Sequence, residues 1–369
     1  MKTKITHLTS AHPRYDTRIF IKMCCSLAKK ENYEVHLVVA DGLGDELKSG
    51  VKILDVGAKK GGRISRMTTT VKKVFQKAKA LKSQIYHLHD PELLPVGIKL
   101  KKLGYKVIFD AHEDLPKQIL AKHYLNGVTK NILSKSVAVY ESYTLKKFDF
   151  IISATPYIRD KFLKINKHCI DINNFPILDE LSNDTPWSEK KDEVCYIGGI
   201  AKIRGIKEVV KAMELTNDLS LNLAGKFSEK EVEEEVKTYK GWTKVKELGF
   251  LDRSEIAQVL KNSKAGLVTL HPIINYLDAL PVKMFEYMAA KLPVISSDIQ
   301  LWKEIIEEAQ CGICVDPHDE KAIANAMNYI LKHPKEAQKM GENGRKAVLQ
   351  KYNWELEEKK LYEVYEHLV

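Results

Sequence analysis

Two carboxylates eight positions apart, Asp278 and Glu286, mark the part of this chain best suited to holding a ligand: LDALPVKMFEYMAAKLPVISSD, from Leu277 to Asp298. Pro281 suits the first position of a helix. Lys283, Glu286, Tyr287 and Ala290 then share one face at three–four spacing, while Met284, Phe285, Met288 and Ala289 turn mainly the other way. The spacing predicts one core face and one available face. A helix starting at the carboxyl end of a parallel strand offers free amides and the positive end of its dipole to a phosphate. Ala279, Leu280, Val282 and Lys283 are therefore candidates to hold one, and Glu286 could take hydroxyls. The plainer reading of Glu286 is an ion pair with Lys283, worth about 0.2–0.5 kcal/mol.

Three further groups could do chemistry. Gly198-Gly199-Ile200-Ala201-Lys202-Ile203-Arg204-Gly205 follows an apolar run, so its glycines allow close backbone approach and Lys202 and Arg204 could clamp a diphosphate. The cluster Ala111-His112-Glu113-Asp114 ends a probable strand, with His89-Asp90 nearby, and open α/β sheets keep ligands at such ends. The loop Ser10–Arg18 offers His12, Arg14, Asp16 and Arg18 to an acceptor or a phosphate, although an ordinary polar loop with an Asp16–Arg18 ion pair fits equally. Glycine is absent from that loop, which argues against a dinucleotide-binding fingerprint. No metal site is expected: Cys311 and Cys314 form the single CxxC, and CGICVDP reads as a turn and a buried strand.

The elements that must position these groups alternate between strand and helix. Strands are expected at Ile5–Thr9, Glu34–Ala40, Gln84–His89, Lys106–Asp110 and Phe150–Ser153, with helices at Ile19–Lys30, Pro91–Leu103, Asn131–Lys147 and Tyr157–Asn166. A polar connection from Asn173 through Trp187 precedes a second alternating run. That run places strands at Glu193–Ile197, Leu219–Ala224, Val245–Phe250 and Ala265–Leu270. Its helices are Ile206–Leu215, one near Glu229–Tyr239, and Arg253–Asn262. The expectation is an α/β fold of two Rossmann-like domains with parallel sheets facing across a cleft: residues 1–175, a linker at 176–190, and 191–354. A terminal helix, 355–369, is expected to cross back onto the first domain.

Composition limits the partners. The chain has 369 residues and a formal net charge of +10, but residues 1–175 carry net +16 and the remainder −6. The segment Lys59–Lys82 holds nine bases and no acids on a helical apolar period. It reads as a surface helix or, more sharply, as a contact for anionic lipid, where each basic residue contributes about 1 kcal/mol. Nothing resembles a zinc finger or an RNA-binding aromatic signature, so nucleic acid is not an expected partner. No apolar run reaches the about 18 residues of a membrane span, and the start has no signal-like apolar core, so a cytoplasmic location, peripheral on the inner face of the plasma membrane, is expected.

Taken together, these residues resemble the retaining sugar-nucleotide glycosyltransferases of family four, which have the GT-B fold. That family carries two glutamates separated by seven residues where Asp278 and Glu286 stand here. The resemblance implies that Glu286 holds the donor ribose, that Asp278 replaces the carboxylate reaching the transferred sugar, and that His112 lies beside that sugar. The family's phosphate-binding arginine is replaced by Gly199 and its lysine by Arg204, with Lys202 or Lys283 as the remaining cation. The strings HDPELL and DAHED look like bacterial enzymes of surface-polysaccharide assembly, whose acceptors often ride on a polyprenyl diphosphate. The implied activity is a metal-independent hexosyl transfer with no cofactor beyond the nucleoside-diphosphate donor. A sugar-nucleotide 2-epimerase and a non-catalytic nucleotide-sugar scaffold are the other readings left open.

Overall fold

A computed structural model describes residues 2–59, 61–121, 126–181 and 184–369; Lys60 of the basic segment and Ser182 and Asn183 of the expected linker lie outside the described residues. The chain divides into two compact units. The first comprises Met1–Asn174 with Glu355–Val369, and the second comprises Phe175–Trp354.

The first unit is built on an eight-stranded sheet in the order β3-β4-β2-β1-β5-β6-β7-β8. Its strands are β1 (Thr3–Leu8), β2 (Tyr33–Val39), β3 (Glu46–Lys48), β4 (Val51–Asp55), β5 (Ile85–Leu88), β6 (Lys106–Ala111), β7 (Phe150–Ser153) and β8 (Cys169–Asp171). All neighbours pair in parallel except β3 with β4. The central strands are buried on both faces, which is why VHLVV and VIFDA read as continuous rather than alternating apolar runs. The sequence reading missed the three-residue edge strands β3 and β8 and the five-residue β4 beside β3.

The basic segment is less regular than its period suggests. Arg63–Ser65 is α-helical, Arg66–Thr70 forms wider π turns, and α1 (Val71–Leu81) completes it. Val71, Val74 and Ala78 enter the core beside α2 (Leu94–Lys102), whereas Ile64 and Met67 are exposed rather than buried. In α3 (Gly127–Leu145) the usual arrangement is inverted. Ser134, Glu141 and Thr144 are buried beside Leu145, while Val128, Ile132, Val139 and Tyr143 are 71, 62, 71 and 60% exposed along one stripe.

The second unit has a six-stranded parallel sheet in the order β11-β10-β9-β12-β13-β14. Its strands are β9 (Glu193–Ile197), β10 (Ser220–Ala224), β11 (Val245–Gly249), β12 (Ala265–Val268), β13 (Val294–Ser297) and β14 (Gly312–Val315). Helices α4 (Ile206–Glu214) and α5 (Val282–Ala289) begin where β9 and the loop after β12 end. The last helix, α6 (Trp354–Leu368), packs within the first unit, where Tyr362 Oη donates to the Ser26 carbonyl at 3.0 Å and Glu357 accepts from the Asn173 amide at 2.7 Å. All six cysteines are free thiols.

Candidate active site

In the second unit the glycine loop leaves β9 and tightens into a 3₁₀ turn over Lys202–Arg204 that ends at Gly205, whose φ is +76°. A Cβ on Gly205 would meet the Thr269 carbonyl at 2.0 Å, so glycine is required for the loop to pass the end of β12. Arg204 folds back over the loop and donates from Nη1 to the Gly199 carbonyl at 3.3 Å, beneath which a Gly199 side chain would crowd it at 3.0 Å. A side chain at Gly199 would push the Arg204 guanidinium aside by a few tenths of an ångström. Lys202 donates its amide to Glu229 at 2.8 Å, and its side chain is exposed.

Lys283 lies in the first turn of α5. Its Nζ sits 3.7 Å from the centre of the Tyr196 ring and is buried without a hydrogen-bond partner. Burial, reinforced by the nearby Arg204 guanidinium, pushes its pKa down from 10.5 to about 7. Thr269 Oγ1 and Asn275 Oδ1 are buried nearby in sequence around the same strand end and are likewise unpartnered. Few buried polar groups in folded proteins lack a partner, and an unpaired ammonium at the carboxyl end of a parallel sheet is a group that an anion can satisfy.

Three expectations for this helix are corrected. Pro281 is the N-cap, with φ −70° and ψ 117°, and Val282 is the first helical residue. Most of the expected available face is buried: Glu286, Tyr287 and Ala290 are as buried as Met284, Phe285, Met288 and Ala289, and of that face Lys283 alone is half-buried. Tyr287 fits because β12 has a glycine below it, where a Gly266 Cβ would strike the ring at 2.3 Å, and its hydroxyl accepts the Ile197 amide at 3.0 Å. Glu286 is paired with Arg253 Nη1 at 2.6 Å rather than with Lys283. Arg253 also grips Glu180 at 2.7 Å. Neither Arg253 nor Glu180 was singled out in the sequence, because contacts 33 and 73 positions from Arg253 leave no local period. Asp278 lies half-buried in the turn before Pro281, and Ala279, Leu280 and Val282 line the entry to the helix, with the Ala279 carbonyl held by Trp302 Nε1 at 2.7 Å.

In the first unit the predicted acceptor loop splits into two roles. Arg14 is buried, chelates Asp41 through Nε and Nη2 at 2.7 Å each, and reaches Glu46 and the Gly44 carbonyl at 3.0 Å each. Arg18 is buried too, but it pairs with Asp110 at 2.7 and 2.9 Å rather than with Asp16, and it donates to the Ile172 carbonyl at 2.7 Å. Both guanidiniums are structural cross-links, since charged groups this deep require full pairing. Asp16 instead caps the following helix by accepting the Arg18 and Ile19 amides at 2.9 Å. Burial pushes the Asp16 pKa up, but the His12 bond and the capped amide outweigh it and hold it at about 2. His12 stays at the surface, 3.1 Å from Asp16 and with its ring centre 5.1 Å from that of His112.

His112 is the partly exposed end of a buried chain. Its Nε2 is 2.8 Å from Asp110 Oδ2; the same oxygen lies 3.1 Å from His89 Nδ1. His89 Nε2 meets His7 Nδ1 at 2.8 Å, His7 Nε2 meets Tyr365 Oη at 3.2 Å, and Tyr365 Oη meets His87 Nδ1 at 2.8 Å. Burial opposes charge on Asp110, yet Arg18 and then His112 outweigh it and keep the carboxylate ionised. With Asp110 as acceptor, one proton arrangement satisfies the chain: His89, His7 and His87 each protonated on Nδ1, and the Tyr365 hydroxyl donating to His7. Burial, joined by neighbouring histidines for His7 and His87, holds all three pKa values below 6.5, in keeping with neutral rings. His112 then donates from Nε2 to Asp110. The HLH spacing of β5 signals that His87 and His89 share a face, but the part played by Tyr365, 278 residues beyond His87, has no sequence signal.

Comparison with known proteins agrees with this architecture. Residues 18–171 match the description "Glycosyltransferase Family 4" and residues 179–347 match "Glycosyl transferases group 1". The chain belongs to glycosyltransferase family four. The glycosyltransferase is 20% identical to glycogen synthase of Mycobacterium tuberculosis over 301 residues, spanning 71% of this chain and 70% of that protein. Its fold matches sucrose-phosphate synthase of Thermosynechococcus elongatus at a TM-score of 0.79 and 19% identity, over 100% of this chain and 99% of the other. It also matches the Anabaena protein HepE, solved with UDP-glucose, at a TM-score of 0.74 and 14% identity over 99% of each chain. The fold is GT-B, with two Rossmann-like parallel sheets.

Proposed function

We propose that this glycosyltransferase moves a sugar from a nucleoside-diphosphate donor to a polyprenyl-diphosphate-linked or other glycan acceptor in surface-polysaccharide assembly, with retention of anomeric configuration. The observation that carries the donor side is the buried, unpartnered ammonium of Lys283 next to Arg204 at the end of β9. As the C1–O bond to the diphosphate breaks, negative charge grows on the leaving phosphate, and two cations fixed beside it would lower the barrier. The acceptor hydroxyl forms the new bond to C1 on the face the diphosphate leaves, and its proton passes to the departing phosphate oxygen. Arg204, Lys283, Lys202 and the amides of Ala279, Leu280 and Val282 would hold the diphosphate. Glu286, oriented by Arg253, would accept the ribose hydroxyls, and Asp278 and His112 would hydrogen-bond sugar hydroxyls.

The membrane reading rests on α3 more than on the basic segment. The exposed apolar stripe is flanked by Lys135, Lys146 and Lys147, all exposed, while the one acid of the helix, Glu141, is buried against Lys161 at 2.9 Å. That combination favours the anionic interface of a bilayer carrying a lipid-linked acceptor.

A nucleotide-release screen of uridine-, guanosine- and adenosine-linked sugars against lipid-linked glycans tests the reading. One donor is expected to release nucleotide only with acceptor present and to give a product of unchanged anomeric configuration by NMR. Binding without release across the whole panel, or epimerised donor without acceptor, would reject it.

A further inference from the structure

Glu208, His271 and His318 come together from three separate elements of the second unit. Glu208 stands in the first turn of α4, His271 follows β12, and His318 lies in the turn after β14. Each offers one ligand atom, and these atoms lie within 4.8 Å of one another. We infer that they form a binding site for a divalent transition-metal ion of the zinc class, with His271 Nε2, Glu208 Oε2 and one imidazole nitrogen of His318 as ligands.

The spacing supports this. Glu208 Oε2 and His271 Nε2 are 3.2 Å apart, yet both are buried and neither makes an aligned hydrogen bond. Two ligand atoms at about 2.05 Å from a tetrahedral zinc are about 3.3 Å apart, so the 3.2 Å His271–Glu208 pair has a separation that one ion can bridge. His271 is only 9% exposed, and its backbone is fixed by donating to the Ile203 carbonyl at 3.0 Å. The His318 ring packs with its centre 4.1 Å from that of His271, and the Asp316 carboxylate pins the His318 amide at 2.8 Å. His318 is exposed, which gives the ion a way in and leaves a coordination position for water. Two imidazoles and one carboxylate suit zinc, cobalt or manganese better than calcium or magnesium.

The buried cluster of His7, His87 and His89 makes an informative contrast. There, all but one of the ring nitrogens are engaged within the hydrogen-bonded chain, and no opening to solvent is evident among three fully buried residues. At Glu208 the carboxylate and imidazole atoms lack such partners. An ion there would tie the first turn of α4 and the turn after β14 to His271, whose amide holds the Ile203 carbonyl, and so brace the loop holding Arg204.

The test is direct binding by the full-length chain after removal of metals by a chelator, read without donor or acceptor. Calorimetry with zinc alone is expected to give one equivalent bound at pH 7.5. Cobalt alone is expected to give visible d–d absorption, and the melting temperature should rise with zinc concentration. Affinity should fall at pH 6, because the imidazoles must be neutral to bind. His318→Ala, at an exposed turn, and Glu208→Gln should each weaken zinc at least tenfold and abolish the melting shift. No stoichiometric uptake, wild-type zinc affinity in both variants, or loss of uptake only on His87→Ala would overturn the assignment.

Discussion

In the first unit both guanidiniums of the loop after β1 end on carboxylates, Arg14 on Asp41 and Glu46, and Arg18 on Asp110; in the second unit the buried ammonium of Lys283 has no hydrogen-bond partner. Both units are parallel α/β sheets with polar groups gathered at strand ends, so the difference lies in what those groups await. A site whose charges are already paired is preorganised for neutral hydroxyls. A site that keeps a cation unpaired at the cost of desolvation is preorganised for an anion. On the proposed function, the acceptor hydroxyl and the nucleotide diphosphate would supply those two chemistries.

The comparison is most severely tested at Asp110. Asp110→Asn leaves the buried Arg18 guanidinium without its counter-charge and should cost about 3–5 kcal/mol, read as a loss of denaturant midpoint. The three inner histidines give the same unit a pH signature. Their folded pKa values lie below 6.5, so the unfolded chain binds more protons in acid; their contribution to stability is present above about pH 6.5 and is lost as pH falls. Arginine at 18 replaced by glutamine should weaken that unit as well, without changing nucleotide affinity.

Lys283 predicts the opposite behaviour. Lys283→Met keeps the bulk and removes the charge, and should lower donor affinity or turnover about 10²-fold while leaving stability unchanged or raised. Because its folded pKa is near 7 against 10.5 in the ordinary state, the unfolded chain holds the proton between those values and this group's contribution to stability rises with pH across that window. A bound diphosphate restores the charge, so nucleotide binding at pH 8 should take up close to one proton. Calorimetry in buffers of different ionisation enthalpy measures the uptake; the methionine variant should show none.

How far the chain could be read follows from the reach of each interaction. Strands such as β7 and β9, and the alternation of strands and helices, were legible because apolar period is local, and the glycine loop was legible because steric demand falls on single residues. Arg14 and Arg18 were misread because nothing local distinguishes a cation offered to a ligand from one chelated by Asp41 or Asp110, 27 and 92 positions away. The helix at Glu286 was given an available face because Arg253, which lets a carboxylate be buried there, is remote in sequence. In α3 the amphipathic period was visible, but its orientation was not, since period alone does not say which face meets the sheet.

Tyr365→Phe is a gentler version of the Asp110 experiment. It removes one hydroxyl and leaves His87 Nδ1–H and His7 Nε2 buried without a partner, which should cost about 1–3 kcal/mol and raise the pH at which acid unfolding begins. If turnover at neutral pH is retained, the chain behind His112 serves to hold the carboxylate in place rather than to carry protons during transfer.

The smallest expected change in stability concerns the surface of the first unit. Lys72 and Lys73 are exposed on α1, and reversing both to glutamate should alter stability by no more than about 0.5 kcal/mol. Their loss should weaken flotation on vesicles containing phosphatidylglycerol by about 1 kcal/mol per residue, an effect that shrinks as salt is raised. Ile132→Ser with Val139→Ser on α3 removes apolar surface without touching charge, so any weakening it causes should persist in high salt. If vesicle binding responds to the lysines alone, the segment around α1 provides the contact by electrostatics. If it responds to both pairs, the inverted face of α3 enters the bilayer interface, and the helix is built outward for the same reason that its serine, threonine and glutamate turn inward.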